Sequence, residues 1–204
     1  MKISLHDAGK RYNREWIFRH ITFEFSPGIK YAITGANGSG KSTLLQVIAG
    51  AVLQSEGKVI FTTSSKVDIV PEAYKQLAVA APYLELIEEM TAMEFLSFHS
   101  KFKPLIRDTA SILEEMDLAP SASKQIRYFS SGMKQRLKLA QAFFSETPVL
   151  LLDEPTTNLD ANGIALYHSL INKYTDDRLV IISSNDEHEY GFCEEIVKIE
   201  EYKK

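Results

Sequence analysis

The chain has 204 residues, of which 45% are hydrophobic and 25% charged, a composition typical of one globular domain with a sizeable core. A formal net charge of -4 gives no general attraction to nucleic acid, so we expect no nucleic-acid partner. One cysteine, Cys193, excludes an internal disulfide, and no stretch approaches the roughly 20 apolar residues of a membrane span. We therefore expect a cytoplasmic chain, without a signal peptide, that reaches a membrane only through another protein.

The first third of the chain contains short runs typical of β-strands. They cover residues 2–6, then 21–25 with alternating apolar and polar side chains, then 29–34 after a Pro27-Gly28 turn. These runs predict an N-terminal antiparallel β-subdomain that leads into a central strand.

A glycine-rich turn follows at residues 35–43, between that strand and a helix-like run at 44–49, and it fits the pattern G-x-x-x-x-G-K-[ST]. Glycines at 35, 38 and 40 let successive N–H groups face one concavity, which binds polyphosphate at a helix N-terminus. An ordinary Gly/Ser connector would need three glycines, a lysine and a serine at these offsets by chance. We expect Lys41 to reach the β- and γ-phosphates and Ser42 to ligate Mg²⁺. The predicted phosphate-binding residues are Gly35, Asn37, Gly38, Ser39, Gly40, Lys41, Ser42 and Thr43.

A nucleotide held at this loop also needs a surface for its base, and an aromatic ring face suits any purine. Tyr12, in the connection between the first two runs, is one candidate, and Trp16 and Phe18 compete with it. From composition alone, packing at the edge of the core is the favoured role for Tyr12.

The middle of the chain changes from strands to helices. Residues 57–61, 66–70 and 77–81 read as strands, the last ending at Pro82. From residue 91 to about 118 the apolar residues recur with helical spacing, which predicts a helical subdomain inserted at about 84–135. Its apolar faces are expected to contain Met93, Leu96 and Phe102, then Ile106, Ile112, Leu113 and Met116.

Residues 129–136 read Phe-Ser-Ser-Gly-Met-Lys-Gln-Arg and precede a helix with one apolar face formed by Met133, Leu137, Ala140 and Phe144. Ser130 is suited to cap this helix, and a helix start with serine and glycine can also bind an anion. Taken alone, the pattern favours capping.

Residues 149–152 are four consecutive apolar residues, as in a fully buried strand, and Asp153 and Glu154 follow at its C-terminal end, where open α/β sheets bind ligands. We expect Asp153 to hold Mg²⁺ and Glu154 to orient the water in line with the γ-phosphate. A solvated Asp-Glu turn is the alternative for this pair considered alone.

The last quarter predicts a helix at 164–174, a strand at 179–183, a short helix at 187–193 and a strand at 196–199. Asn185 follows the strand at 179–183 on the ligand side. It is equally suited to donate to a phosphate oxygen and to form a turn.

Four segments in this order resemble the ATP-binding cassette (ABC) ATPases: residues 35–43, 129–136, Asp153-Glu154-Pro155 and 157–160. The second is similar to the family's signature motif, usually L-S-G-G-Q, and Asn158-Leu159-Asp160 to its D-loop. The resemblance implies an α/β fold, a P-loop NTPase core with a mainly parallel sheet, in a single ABC ATPase domain over residues 1–204.

The resemblance also implies that two such subunits dimerise head to tail, as a homodimer or heterodimer, with ATP at the interface. Ser130 and Gly132 would then contact the γ-phosphate of an ATP held by the partner, and Tyr12 matches the adenine-stacking aromatic of the family. The implied cofactors are ATP and Mg²⁺.

The signature departs mildly from the family pattern, with Phe129, Ser131 and Met133 in place of Leu, Gly and Gln, while Ser130 and Gly132 remain. Two positions in other loops depart from it more strongly. The Gln expected after the strand before the helical subdomain is Tyr83, a poorer Mg²⁺ ligand to which we assign no metal role. The expected switch-loop His is Asn185, which can donate a hydrogen bond but cannot carry the charge of an imidazolium. We expect Glu154, Lys41 and Asn185 to serve catalysis, with slow ATP hydrolysis.

The function that the resemblance favours is the nucleotide-binding subunit of an ABC transporter, held at the inner face of the cell membrane by separate transmembrane subunits. A soluble ABC protein acting on ribosomes or DNA, or a slow nucleotide sensor, is the second hypothesis. A structural non-enzyme is the third, supported only by Tyr83 and Asn185.

Overall fold

The computed structural model describes residues 1–63, 67–68 and 73–203, with the backbone alone at 67–68. Two β-sheets and six α-helices form the described part of the chain. The strands are β1 (Lys2–Tyr12), β2 (Glu15–Phe25), β3 (Lys30–Thr34), β4 (Glu56–Thr62), β5 (Val67–Asp68), β6 (Leu77–Ala80), β7 (Val149–Asp153), β8 (Leu179–Ser183) and β9 (Glu195–Lys198). The helices are α1 (Lys41–Ile48), α2 (Ala92–His99), α3 (Thr109–Glu115), α4 (Ser131–Phe143), α5 (Ala161–Tyr174) and α6 (Glu187–Tyr190).

The central sheet has the strand order β6-β7-β8-β3-β9, and every pair in it is parallel. Its strands β7 and β8 are buried throughout, because side chains alternate between two apolar cores. Leu150 and Leu152 enter the core beneath the helical subdomain, whereas Val149 and Leu151 enter the core shared with α1 and the second sheet. Burial on both faces explains why the sequence at 149–152 is continuously apolar.

The second sheet is antiparallel, in the order β2-β1-β4-β5, and confirms the predicted N-terminal β-subdomain. The predicted strands were too short, because β1 and β2 each span 11 residues. Irregular register after Leu5, together with positive φ angles at Asp7 (49°) and His20 (58°), breaks the alternation that marks a strand in sequence. Of the strand predicted at 66–70, only the two residues of β5 lie within the described residues.

The helical subdomain lies between β6 and β7, as predicted. Thr91 caps α2 in a reciprocal capping box with Glu94, and Asp108 caps α3. The prediction that Phe102 and Ile106 belong to apolar faces was wrong, because the side chains are 68% and 45% exposed. Helix α2 ends at His99, so the helical periodicity does not extend to either residue.

The C-terminal quarter follows the predicted alternation of helices and strands. The strand predicted at 179–183 coincides with β8, whereas the predicted helix at 187–193 ends three residues early, at Tyr190. No helix in the described part of the chain combines the length and apolar character needed to cross a membrane.

Candidate nucleotide site

The parallel sheet brings the predicted site residues to one edge. The glycine-rich loop follows β3, Asn185 follows β8, and Asp153 and Glu154 end β7. Since β3, β8 and β7 are adjacent and parallel, their carboxyl ends meet at the same edge. Segments separated by more than 100 residues in sequence therefore lie side by side.

The glycine-rich loop has the backbone that its sequence predicts. Gly35, Gly38 and Gly40 all have positive φ, at 151°, 74° and 104°. At Gly40 an added Cβ would collide with the side chain of Ile17 on β2, so a residue with a side chain is excluded there by space as well as by conformation. Gly40 is also the N-cap residue of α1, so the loop runs directly into the positive end of that helix.

Lys41 is the first residue of α1 and is only 4% exposed. Its Nζ donates to the carbonyl oxygens of Gly35 and Ala36 at 2.8 and 3.2 Å, so the ammonium group lies across the loop. Ser39 is buried as well, and its Oγ has no hydrogen-bond partner among the described residues. The loop thus contains the ammonium group of Lys41, fixed by two hydrogen bonds, and the hydroxyl of Ser39, which has no partner in the described part of the chain.

Asp153 is 1% exposed at the end of β7. Burial raises the pKa of its carboxyl group, and the Ser183 and Ser42 hydroxyls and the Lys41 charge only partly offset this effect. Asp153 Oδ1 has no hydrogen-bond partner within the described residues. The neighbouring Ser183 Oγ is close enough to lower the pKa of Asp153, but it does not meet the geometry of a hydrogen bond to this carboxylate or to any other described group.

Oxygen atoms of this kind suit a hard divalent cation, because a carboxylate and a hydroxyl are preferred Mg²⁺ ligands and a buried carboxylate needs a positive partner. The residues present therefore fit Mg²⁺, with Asp153 and Ser42 as the protein ligands already predicted.

Glu154 is partly buried and has the left-handed backbone conformation, with φ at 42°. Its N–H donates to the carbonyl oxygen of Ser183 at 2.8 Å, which ties the start of the loop after β7 to the end of β8. A non-glycine residue with positive φ is uncommon and must be held by its surroundings. The backbone here turns sharply between the carboxylates of Asp153 and Glu154.

The signature segment forms a separate surface. The Ser130 hydroxyl caps α4 by accepting from Met133 N at 3.2 Å, as the sequence predicts. An added Cβ at Gly132 would lie 3.1 Å from the carbonyl oxygen of Asn158, so the small residue permits this close approach. An open groove of about 400 Å³ lies between the start of α4 and residues 158–160, and it is lined by Ser130, Ser131, Gly132, Met133, Arg136, Asn158, Leu159 and Asp160. This groove consists of signature and D-loop residues, without the glycine-rich loop.

Of the three aromatic candidates for base stacking, Phe18 is fully buried and is excluded. The guanidinium of Arg19 lies 4.4 Å from the centre of the Trp16 ring and covers it. Tyr12 is 48% exposed at the end of β1, which corrects its predicted position in a connection. Lys10 Nζ lies 4.8 Å from the centre of the Tyr12 ring, so this ring also contacts a cation. Tyr12 is nevertheless the most exposed of the three residues.

Comparison with known proteins identifies the family. Residues 18–157 match the family model described as ABC transporter. The chain belongs to this family.

Two curated relatives illustrate the similarity of this ABC ATPase domain to other members. The uncharacterized ABC transporter ATP-binding protein YybJ of Bacillus subtilis is 29% identical over 94% of this chain and 89% of its own. The cytochrome c biogenesis ATP-binding export protein CcmA of Brucella abortus is 33% identical over 87% of this chain and 81% of its own. Among solved structures, the dimeric MJ0796, a bacterial ABC transporter cassette, has a TM-score of 0.82 at 23% identity, covering 97% of this chain and 94% of that one.

Tyr83, the first of the two residues expected from sequence to depart from the family pattern, lies near the predicted metal site. Tyr83 is 42% exposed as a residue, but partial burial of its phenol group, followed by the charge of Asp153, raises the pKa of Tyr83 to about 12, and a hydrogen bond with Gln46 of α1 opposes the shift. Tyr83 and Gln46 also line a cavity of about 530 Å³ at the junction of α1, β6 and the helical subdomain. The phenol is therefore a neutral group close to Asp153.

The second departure, Asn185, contacts the glycine-rich loop directly. Its Nδ2 donates to Asn37 Oδ1 at 3.2 Å, so the residue predicted to stand at the switch position and the glycine-rich loop are in contact through their side chains. The placement favours the phosphate-side role of Asn185 over that of a simple turn residue.

Two carboxylates near the site were not found from sequence. Glu200 Oε1 accepts from Ala36 N at 2.8 Å, and this bond lowers the pKa of Glu200. Glu189 is buried and binds the loop after Glu154. Neither residue belongs to a recognisable sequence motif. Both contacts join residues that are far apart in sequence, so local pattern could not predict them.

Proposed function

We propose that the chain binds and hydrolyses MgATP as the nucleotide-binding subunit of an ABC transporter. The observation that carries this proposal is the convergence of three elements at one sheet edge: the glycine-rich loop with Lys41, the buried unpaired carboxylate of Asp153, and Glu154 directly after it. A phosphate-binding loop, a metal ligand and a water-orienting carboxylate are the parts that phosphoryl transfer to water requires.

The proposed roles follow from the positions of these residues. Backbone N–H groups of residues 35–43 and the N-terminus of α1 bind the phosphate oxygens, and Lys41 exchanges its loop carbonyls for the β- and γ-phosphates. Asp153 and Ser42 hold Mg²⁺, which when bound offsets the negative charge of the phosphates. Glu154 accepts a hydrogen bond from the attacking water, and Asn185 donates to the γ-phosphate. Tyr12 stacks on the base.

The site is proposed to be completed by a second ABC subunit. Ser130 and Gly132 line an open groove that is separate from the glycine-rich loop of the same chain. In a head-to-tail dimer, this groove and the N-terminus of α4 would close on an ATP held by the partner. MJ0796, the cassette of similar fold, is itself dimeric.

A membrane partner is proposed to dock on the helical subdomain. The cavity beside Tyr83 lies at the junction of this subdomain with the nucleotide core, so a protein seated there would contact elements on both sides. The helical subdomain also has an exposed aromatic pair, Phe98 and Phe102, whose ring centres are 5.1 Å apart. Such exposed apolar surface is typical of protein interaction sites. Docking would hold the chain at the cytoplasmic face of the membrane.

We propose that turnover is slow. Tyr83 stands where the family pattern has Gln, and a phenol is a poorer Mg²⁺ ligand than an amide oxygen. Asn185 stands where the pattern has His, and its amide cannot carry the charge of an imidazolium. Glu154 is retained, so hydrolysis is expected to survive at a low rate.

The test is phosphate release from MgATP by the purified chain, compared with Glu154→Gln. We expect the variant to lose about 10²-fold or more in rate, as for a positioned general base, while it still binds ATP and forms a nucleotide-dependent dimer by sedimentation. Glu114→Gln, at an exposed position on α3, is the matched control. An unchanged rate in Glu154→Gln would contradict the assignment.

Co-purification from detergent-solubilised membranes tests the transporter role. A hydrophobic membrane partner supports it, whereas ribosomal particles would favour the soluble alternative.

A further inference from the structure

Glu189 is a buried carboxylate in a helix that is otherwise at the surface. It lies on α6, four residues after Asn185, and is 3% exposed, whereas Glu187 and His188 on the same helix are exposed. A carboxylate that is removed from water requires strong hydrogen-bond donors, so its partners indicate why it is there.

The donors come from the loop that follows Glu154. Glu189 Oε1 accepts from both the backbone N and the side-chain Oγ1 of Thr156, each at 2.6 Å. The backbone of Glu189 is fixed as well, because the Tyr167 hydroxyl on α5 donates to its carbonyl oxygen at 2.7 Å. Glu189 is thus a rigid acceptor for one residue of that loop.

The same loop is held from its other side by the signature helix. Gln135 on α4 is buried and donates through Nε2 to the Pro155 carbonyl oxygen at 2.7 Å. Pro155 and Thr156 are the two residues after Glu154, whose own backbone has a positive φ of 42°. A strained backbone of this kind persists only where neighbouring contacts fix it. Glu189 and Gln135 provide such contacts.

We propose that Glu189 is a positioning residue for ATP hydrolysis. By holding Thr156, it keeps Glu154 directed at the site, and it joins the loop of Asn185 to the loop of Glu154, since α6 begins two residues after Asn185. When Asn185 moves with the γ-phosphate, the hydrogen bonds between Glu189 and Thr156 transmit this movement to Glu154. The inference rests on the proposed hydrolysis of MgATP.

The experiment uses two substitutions of Glu189 in the full chain, with MgATP as the probe. Glu189→Gln keeps an oxygen acceptor without the charge, whereas Glu189→Leu removes the acceptor. We expect Glu189→Leu to lower kcat about tenfold, as for loss of hydrogen bonds to a charged group, with KM for ATP unchanged within about twofold. Glu189→Gln should retain a third or more of the rate. Glu187→Gln and Glu187→Leu, on the exposed side of α6, are the matched controls and should equal the unchanged chain.

Two readouts independent of turnover accompany the kinetics. Amide hydrogen exchange should accelerate at residues 156–158 in Glu189→Leu but not at residues 35–43, and affinity for a fluorescent ATP analogue should stay unchanged. If Glu189→Leu does not fold, Thr156→Val provides the test, because it removes the hydroxyl and keeps the N–H. It should lower kcat about threefold with KM unchanged.

The outcomes separate this inference from the proposed function. If the unchanged chain releases no phosphate from MgATP, the proposed function fails and the positioning role fails with it. If the unchanged chain hydrolyses ATP and Glu189→Leu, or Thr156→Val in its place, matches it in kcat, only the positioning role is overturned. A parallel loss of kcat, analogue affinity and folded fraction would likewise overturn it, because it would make Glu189 a general stabiliser of the fold.

Discussion

Substitution of Asp153 by Asn should make the chain more stable and less able to use Mg²⁺. Asp153 is a buried carboxylate with a raised pKa and an Oδ1 without a protein hydrogen-bond partner in the described part of the chain. An unsatisfied buried polar group costs about 1–3 kcal/mol, more when it is charged. Asn has the same shape without the charge, and its amide can donate to the unpaired Ser183 Oγ. We therefore expect the free energy of unfolding to rise by about 1–2 kcal/mol, which for a chain of this size raises Tm by about 2–8 °C.

The assay is urea and thermal unfolding of the two proteins, with three conditions each: no nucleotide, ATP with a chelator, and MgATP. At about 100 times its Kd, MgATP should add about 2.7 kcal/mol to the unfolding free energy of the unchanged chain. In Asp153→Asn, MgATP should add no more than ATP with a chelator, because the carboxylate that holds the metal is absent. Asp177→Asn, at an exposed position, is the control and should change stability by less than about 0.5 kcal/mol.

Two results would refute this reasoning. The first is an Asp153→Asn variant that is less stable than the unchanged chain when both lack nucleotide. It would mean that the Asp153 carboxylate stabilises the fold, and not that the fold loses stability by keeping a buried charge for Mg²⁺. An undiminished gain from Mg²⁺ in the variant would mean that the metal is bound elsewhere.

Three further predictions concern single side chains. Tyr12→Ala should raise KM for ATP about tenfold through loss of base stacking, whereas Tyr12→Phe should stay within about twofold; equal KM values for both would exclude stacking. Asn185→His should raise the rate of phosphate release, and no increase would show that this position does not limit turnover. Burial, assisted by the charge of Lys103, lowers the pKa of His99 to about 4. Between about pH 4 and the ordinary pKa of 6.5, His99 binds a proton in the unfolded state but not in the folded state. The free energy of unfolding should therefore fall by about 2 kcal/mol from pH 7 to pH 5 through this group. Urea titrations at the two pH values should show that His99→Gln removes this pH-dependent loss.

Much of the fold could be predicted because its strands are buried on both faces or bounded by strong turn residues. The strand at 179–183 was placed to the residue, since its apolar run ends at polar residues. The N-terminal strands were predicted too short because register irregularities and positive φ angles at Asp7 and His20 interrupt the alternation of side chains. Local pattern cannot show such irregularities, because they are compensated by pairing with a neighbouring strand.

The helical subdomain shows the same limit. Helix starts at Thr91 and Asp108 are local, since each cap bonds to a residue three positions later. Where a helix ends, and so whether Phe102 is covered, depends on what packs against it. Spacing alone predicted Phe102 on an apolar helix face, whereas its ring is exposed beside Phe98.

The sequence by itself determined the chemical parts of this protein: a glycine-rich loop with Lys41 and Ser42, and two carboxylates after an apolar strand. These parts are readable because their chemistry requires fixed residue types at fixed short spacings. Only the tertiary structure decided how they are joined. The contact of Asn185 with Asn37 spans 148 residues, and that of Glu189 with Thr156 spans 33. Such contacts follow from the order of the parallel strands and the path of the chain between them, which no local pattern encodes.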